Sequence, residues 1–322
     1  MKFKKRVDDN VFRLIVLLAV VLVLMGLTKG SQIMKVSIFQ TIGRSMSEIG
    51  LMAVGCGICM IAGGIDLSCV YIANLVGITS GLMMQQKGAG IALAIIIGII
   101  VGAACGAFNG LLVSYLRIPA MLATLGTYQV FQGISIVLSG GSTVSGIPEA
   151  FTDVGAATVG VIPVPFIIYL VIIVLMTFLM SKTSFGKRVF FVGTNERTSV
   201  FAGIKTKKVL ILTYMISGIL CGIAGLLELA RINSAKADFG SSYTNQCILV
   251  SVMGGINPNG GFGTIPGVAI AVLILQLLSA YLNTFPNISN YYRDLIWGAA
   301  LIGVLIANYY FDKRKLAKQA KN

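Results

Sequence analysis

The sequence contains no histidine, and only 11% of its residues are charged. The first absence removes histidine-based general-base, triad and metal-ligand chemistry. The second is incompatible with an ordinary soluble domain, which is about 25% charged and about 45–50% apolar. No Gly-x-x-x-x-Gly-Lys-Ser/Thr run and no Gly-x-Gly-x-x-Gly fingerprint occurs, so any nucleotide that drives this protein is bound by another chain. A signal-peptide cleavage site is also missing. The apolar run Leu14 to Leu27 ends in Gly26-Leu27-Thr28-Lys29-Gly30, which is not small-residue patterned, and it reads as a retained first helix. The six cysteines form no framework. Cys56-x-x-Cys59 has no second pair to complete a metal site, and all six thiols lie in apolar stretches as packing residues.

What is present is hydrocarbon: 56% of residues are hydrophobic and the mean hydropathy is +0.90. The apolar residues come in blocks of about 20, the length a helix needs to cross a ~30 Å hydrocarbon core. Spans are predicted at 12–29, 42–62, 68–86, 90–116, 119–139, 163–181, 209–230, 242–257, 264–283 and 292–311. The expected fold is therefore all-α, a polytopic bundle of about ten spans forming a single transmembrane domain over 1–322. The net charge of +14 would raise nucleic-acid binding in a soluble chain. Here the basic residues cluster at the start (Lys2, Lys4, Lys5, Arg6), in the loop of about 182–208, and in the tail (Lys313, Arg314, Lys315, Lys318, Lys321). That is the positive-inside pattern; it makes both termini cytoplasmic and leaves nucleic acid with no part. The stretch of about 140–162, without Lys or Arg, fits an external loop.

Glycine is abundant, with 38 residues. Gly98, Gly102, Gly106 and Gly110 recur every four residues and form a smooth helix face for close backbone approach. Packing inside the bundle and homodimerisation both use such a face. Met60-Ile61-Ala62-Gly63-Gly64-Ile65-Asp66 is echoed by Val252-Met253-Gly254-Gly255-Ile256-Asn257. Glu48 is four residues from Arg44 and Glu228 three from Arg231, so each pair closes on one helix face. Asp66 has no basic neighbour in sequence. Ionisable and hydrogen-bonding residues inside spans are candidate pathway residues because their burial is costly. Asp66, Asn109, Gln132 and Asn245 are the candidates for a solute path. Gln129, Gln246 and Gln276 are further hydrogen-bonding positions in spans.

Several blocks together resemble the permease subunits of bacterial ABC sugar importers, the ribose/xylose/galactose-type family. They run in order: Gly63-Gly64-Ile65-Asp66-Leu67-Ser68, Asn109-Gly110-Leu111-Leu112-Val113, Ala123-Thr124-Leu125-Gly126-Thr127, Thr183-Ser184-Phe185-Gly186-Lys187-Arg188, Val192-Gly193-Thr194-Asn195-Glu196, Ala202-Gly203-Ile204 and Gly260-Gly261-Phe262-Gly263. The resemblance implies a permease of the bacterial inner membrane that works by alternating access and has no catalytic site of its own. It also implies a second permease subunit, an ATPase subunit that binds ATP and Mg, and an external solute-binding protein. The ATPase would dock on a short cytoplasmic helix, here Asn195, Glu196, Val200, Phe201, Ala202, Gly203 and Ile204, with Phe185 and Gly186 beside it. Asn195 suits an N-cap, and Glu196 suits the positive helix end. Tyr243-Thr244-Asn245-Gln246 stands where that family usually has an acidic run, which leaves the solute open. Two other readings compete. An ion- or proton-coupled secondary transporter would carry a mid-membrane carboxylate relay, at which only Asp66 hints. A membrane scaffold without transport leaves the ordered motifs unexplained.

Overall fold

The computed structural model describes residues 2–33, 35–85, 90–285, 292, 295–304 and 306. Thirteen helices carry the fold among the described residues. They are α1 (Lys2–Ile33), α2 (Val36–Ile61), α3 (Cys69–Gln85), α4 (Ile91–Ser114), α5 (Ala120–Ser139), α6 (Glu149–Ala156), α7 (Val164–Lys182), α8 (Ser184–Thr194), α9 (Glu196–Phe201), α10 (Thr206–Ile232), α11 (Tyr243–Met253), α12 (Ile265–Leu282) and α13 (Leu295–Val304). Seven of them, α1, α2, α4, α5, α7, α10 and α12, are long and apolar enough to cross a membrane, and α3 and α13 are shorter apolar helices. The C-terminal basic cluster and residues 293–294, 305 and 307–311 of the span predicted at 292–311 lie outside the described residues.

Local chemistry sets the boundaries. Pro165 and Pro266 occupy the first turns of α7 and α12, where a missing N–H costs nothing. Gly140, at φ +60°, ends α5 in the left-handed region that favours glycine. The predicted span 242–257 is a correction. Its helical part, α11, has only 11 residues. Gly254, Gly255, Asn257, Pro258, Asn259, Gly260 and Gly261 then break the chain into a folded loop that leads to α12. The 140–162 stretch is also more ordered than a plain loop. It contains α6 and three short strands, β1 (Val144–Ser145), β2 (Thr158–Val159) and β3 (Ile162–Pro163). β2 pairs with β3, and β1 pairs antiparallel with β4 (Ser234–Ala235) just after α10.

The layers follow from burial. α2 is the central helix, 89% buried across its most apolar window, whereas α4, α5 and α7 are each 28% buried and α1 only 11%. The outer helices direct apolar side chains outward, as helices facing lipid must. The glycine row packs inside the bundle. A Cβ on Gly102 would lie 2.6 Å from the Gly218 carbonyl oxygen, one on Gly106 2.1 Å from that of Tyr214, and one on Gly110 2.6 Å from the Ile211 Cα. Gly98 is equally tight against the Ser80 hydroxyl of α3. From the other side, a Cβ on Gly218 would lie 2.1 Å from the Gly102 oxygen. α4 and α10 therefore touch backbone to backbone. In a bilayer, where no hydrophobic force drives helices together, such close packing is a main source of association.

One buried ion pair crosses the core. Both carboxylate oxygens of Glu48 on α2 accept from Arg231 on α10, one of them from Nη2 at 2.8 Å. Arg44, the expected sequence neighbour of Glu48, instead donates from Nη2 to the Ala156 carbonyl at 2.7 Å. The tertiary pair is bidentate and buried, which a flexible i,i+4 contact at a helix surface is not. All six cysteines are free and buried.

Candidate functional site

Three structural centres occupy the end of the bundle where the α2–α3, α4–α5, α7–α10 and α11–α12 connections meet. The first is a polar knot. Asp66, fully buried in the α2–α3 connection, accepts at Oδ1 from the Ser68 backbone N–H (2.9 Å) and the Ser68 hydroxyl (2.7 Å), and at Oδ2 from the Ser217 hydroxyl of α10 (3.1 Å). Asn109 of α4 donates to the Ser68 hydroxyl oxygen at 2.8 Å. The Thr124 hydroxyl of α5 accepts from the Leu67 N–H (3.1 Å) and lies 3.0 Å from the Ile65 carbonyl. One short loop thus ties α3, α4, α5 and α10 together. Asp66 and Asn109 are both 0% exposed, so the described chain shields them from any open path. A buried carboxylate with three hydrogen bonds is satisfied where it stands.

The second centre is a backbone junction. α2 ends with Gly63 N–H bonded to the Met60 carbonyl (2.9 Å) and Gly64 N–H to that of Cys59 (3.0 Å). α11 ends the same way, with Gly255 to Val252 (3.0 Å) and Ile256 to Ser251 (3.0 Å). Gly63 at φ +92° and Gly255 at φ +93° hold equivalent left-handed positions. The sequence echo is real in three dimensions, but it aligns Gly63 with Gly255, one residue away from the alignment of the two Gly-Gly pairs. The two turns meet: the Gly261 N–H donates to the Ile61 carbonyl at 2.9 Å. Gly193, near the end of α8, closes the junction. A Cβ there would sit 1.8 Å from the Ile61 oxygen and 2.7 Å from the Gly261 nitrogen.

The third centre is the α8–α9 arm. Thr183 caps α8 by accepting from the Gly186 N–H at 3.2 Å, and Gly186 lies hard against α7, where a Cβ would meet the Met180 oxygen at 2.2 Å. Asn195 caps α9 by accepting from the Thr198 N–H at 2.9 Å. Glu196, at the first position of α9, pairs with Arg117 of the α4–α5 connection at 2.5 Å. Lys207 lies over the Tyr115 ring at 4.3 Å. The arm is therefore held to the bundle at its glycines and at α9's first turn. Its tip is free: Val200 is 51% and Phe201 92% exposed. A cleft of ≈ 510 Å³ beside it is lined by Phe185, Ala202, Gly203 and Ile204 together with Arg188 and Lys208.

The candidates thus fall into separate places. Asp66 and Asn109 join through Ser68, whereas Gln132 is half-buried on α5 and Asn245 is exposed on α11. Phe185, Gly186 and the residues from Asn195 to Ile204 assemble on one arm. Gly193, Ile61 and Gly261 were legible only as motif members; their convergence depends on tertiary contact.

A bundle of apolar helices with a folded arm presenting an uncovered Phe-containing tip has the build of a membrane permease. Residues 37–305 match the family described as the branched-chain amino acid transport system permease component, and the chain belongs to that family. The autoinducer 2 import system permease protein LsrD of Escherichia coli K12 is 33% identical over 285 residues, 85% of this chain and 86% of that protein. The corresponding LsrD of Yersinia enterocolitica is 34% identical over 264 residues, 80% of this chain and 79% of its own length. No solved structure matches the chain. The protein is thus a multi-pass permease subunit of an ABC importer in the bacterial cytoplasmic membrane, and ATP hydrolysis belongs to a partner chain.

Proposed function

We propose that this permease carries a small, uncharged, sugar-like solute inward by alternating access, driven by a separate ATPase that docks on the tip of the α8–α9 arm. The exposed Phe201 carries this reading. An aromatic side chain 92% exposed on a six-residue helix, beside Val200 and a basic cleft, fits a surface waiting for a partner. MgATP binds that partner, and closure of its nucleotide sites pulls the arm. A second permease subunit and an external solute-binding protein complete the assembly. The relatives named for autoinducer 2 import support a sugar-like cargo.

Ten crossings follow if the seven long helices are joined by α3, α13 and the broken segment of α11 with its following loop, and the charge bias then favours a cytoplasmic side shared by the basic head, arm and tail. On this reading 182–208 is the cytoplasmic coupling segment and 140–162 is the external loop. Asp66 and Asn109 hold the helices around the path, while Gln132 and Asn245 are nearer to open space. The serine hydrogen bonds to Asp66 favour this structural role over a place in a proton relay.

Purification of the assembled importer from membranes tests the reading. The wild-type permease should retain its ATPase subunit, and the Val200→Asp/Phe201→Asp variant should lose it and its uptake together. Full retention by that variant would move the dock elsewhere.

A further inference from the structure

The fold leaves one surface in the membrane, where polar and aromatic side chains stand among the exposed apolar Leu125 and Ile136 of α5, that the coupling arm and the polar knot do not use. Tyr71, near the start of α3, and Tyr128 of α5 face each other with ring centroids 4.6 Å apart and planes tilted by 34°. Both are only half-buried. Gln129 and Gln132 lie on the same side of α5; at 100° per residue, positions 128, 129 and 132 fall within about 100° of one another. Gln129 is exposed and Gln132 half-buried. Neither glutamine amide and neither phenol has a hydrogen-bond partner among the described residues, although Thr124, Thr127 and Ser135 of the same helix all bond to backbone. Gly126 and Gly133, which flank Gln129, have nothing within 4 Å of the position a Cβ would take. The face is open.

Depth makes this arrangement informative. Gln129 sits at the middle of a 20-residue helix, about 15 Å from either end at 1.5 Å per residue, near the midplane of the bilayer. Unpaired amides and phenols turned toward lipid at that depth would lose their water hydrogen bonds and gain none. A wall in contact with water or with a hydroxyl-rich solute satisfies them. The wall also carries no fixed charge. α3 and α5 contain no Asp, Glu, Lys or Arg. The segment that Asn74 holds against α3 through the Ala237 and Phe239 carbonyls has one ion pair, Lys236 with Asp238 at 3.1 Å, which neutralises itself. Neutral amides and phenols beside exposed ring faces match a polyhydroxylated, uncharged ligand, whose hydroxyls hydrogen-bond and whose C–H faces stack on aromatic rings.

We infer that Tyr71, Tyr128, Gln129 and Gln132 form a solute-binding wall of the transport path, selective for a neutral sugar-like molecule. The inference rests on the permease reading above.

Two measurements test it. Gln129→Cys and Gln132→Cys are made in the otherwise native chain, whose own thiols are all buried. They are treated in membranes with a charged, water-soluble methanethiosulfonate, beside Val174→Cys on the outward face of α7, which is 66% exposed. The two α5 positions should react about tenfold faster than position 174, because the charged reagent does not enter hydrocarbon. Equal, slow reaction at all three overturns the wall. The second measurement follows uptake of tritiated ribose, xylose, galactose and autoinducer 2 by cells expressing the whole importer. Tyr71→Ala/Tyr128→Ala should lower uptake of the transported solute about tenfold, with the ATPase subunit still co-purifying, whereas the corresponding Phe pair should retain most of it. Undiminished uptake by the alanine pair overturns the binding role. A wild type that takes up none of the four overturns the sugar-like class. Failure of the wild-type chain to hold an ATPase strikes at the permease reading and not at the wall.

Discussion

Arg231 on α10 reaches across to α2 and donates to both oxygens of Glu48, 183 residues away in sequence. Glu48 is 2% exposed and Arg231 27%, so the pair is largely withdrawn from solvent. Breaking such a pair from one side leaves an uncompensated buried charge, which costs about 3–5 kcal/mol. Arg231→Leu should therefore lower the melting temperature of the purified permease and its level in the membrane. Glu48→Arg/Arg231→Glu should recover part of the loss. Thermal unfolding in detergent measures both, and an Arg231→Leu protein as stable as wild type would refute the role.

The glycine row yields a prediction about stability alone. Gly106→Leu must push α4 away from the Tyr214 carbonyl, and overpacking of this kind costs about 1–3 kcal/mol or more. Gly26→Leu on α1, where nothing lies within 4 Å, should leave the melting temperature unchanged. Similar melting curves for the two variants would contradict the close approach of α4 and α10.

Junction and arm should separate docking from transmission. Gly193 has no room for a side chain between the Ile61 carbonyl and the Gly261 nitrogen, and it lies next to the α8–α9 junction at Asn195. With the ATPase docked at Phe201 as proposed, Gly193→Val should keep that subunit bound, yet reduce uptake about tenfold by displacing the link to the membrane helices. Co-purification and uptake measured on one preparation decide this; normal uptake would show that the junction transmits nothing.

Asp66 distinguishes an ATP-driven importer from a proton-coupled one. Its carboxylate is bonded to Ser68 and Ser217, with no path to solvent, so it should not exchange protons during transport. Uptake should persist when a protonophore collapses the proton gradient while ATP is kept constant. Asp66→Asn should act on the amount of folded protein and leave this insensitivity unchanged. Immediate loss of uptake with the gradient at constant ATP would restore the relay reading.

Features set by neighbouring residues were the most legible in sequence. Asn195 as a cap depends on three following residues, and the Gly98–Gly110 row depends on one helical period. The helical membrane class follows from apolar run length. Features set by distant partners were hidden. Arg44 looked like the partner of Glu48 because four residues on a helix is a short reach, whereas the true partner arrives on α10. Hydropathy over 242–257 does not register that Gly254 and Gly255 end the helix, since glycine is nearly neutral on such scales. Polar residues in spans were found, but hydropathy carries no facing information. It could not distinguish Asp66, knotted inside, from Gln129, exposed on α5.

The bond from Gly261 to the Ile61 carbonyl also imposes an order of events on synthesis. When α2 and α3 enter the membrane, the chain has not yet supplied residue 261, and the end of α2 lacks the backbone donor that will complete it. The Gly102 and Gly106 backbones likewise wait for α10. A chain ending before α10 would therefore lack both the Gly261 donor and the backbone that faces Gly102 and Gly106.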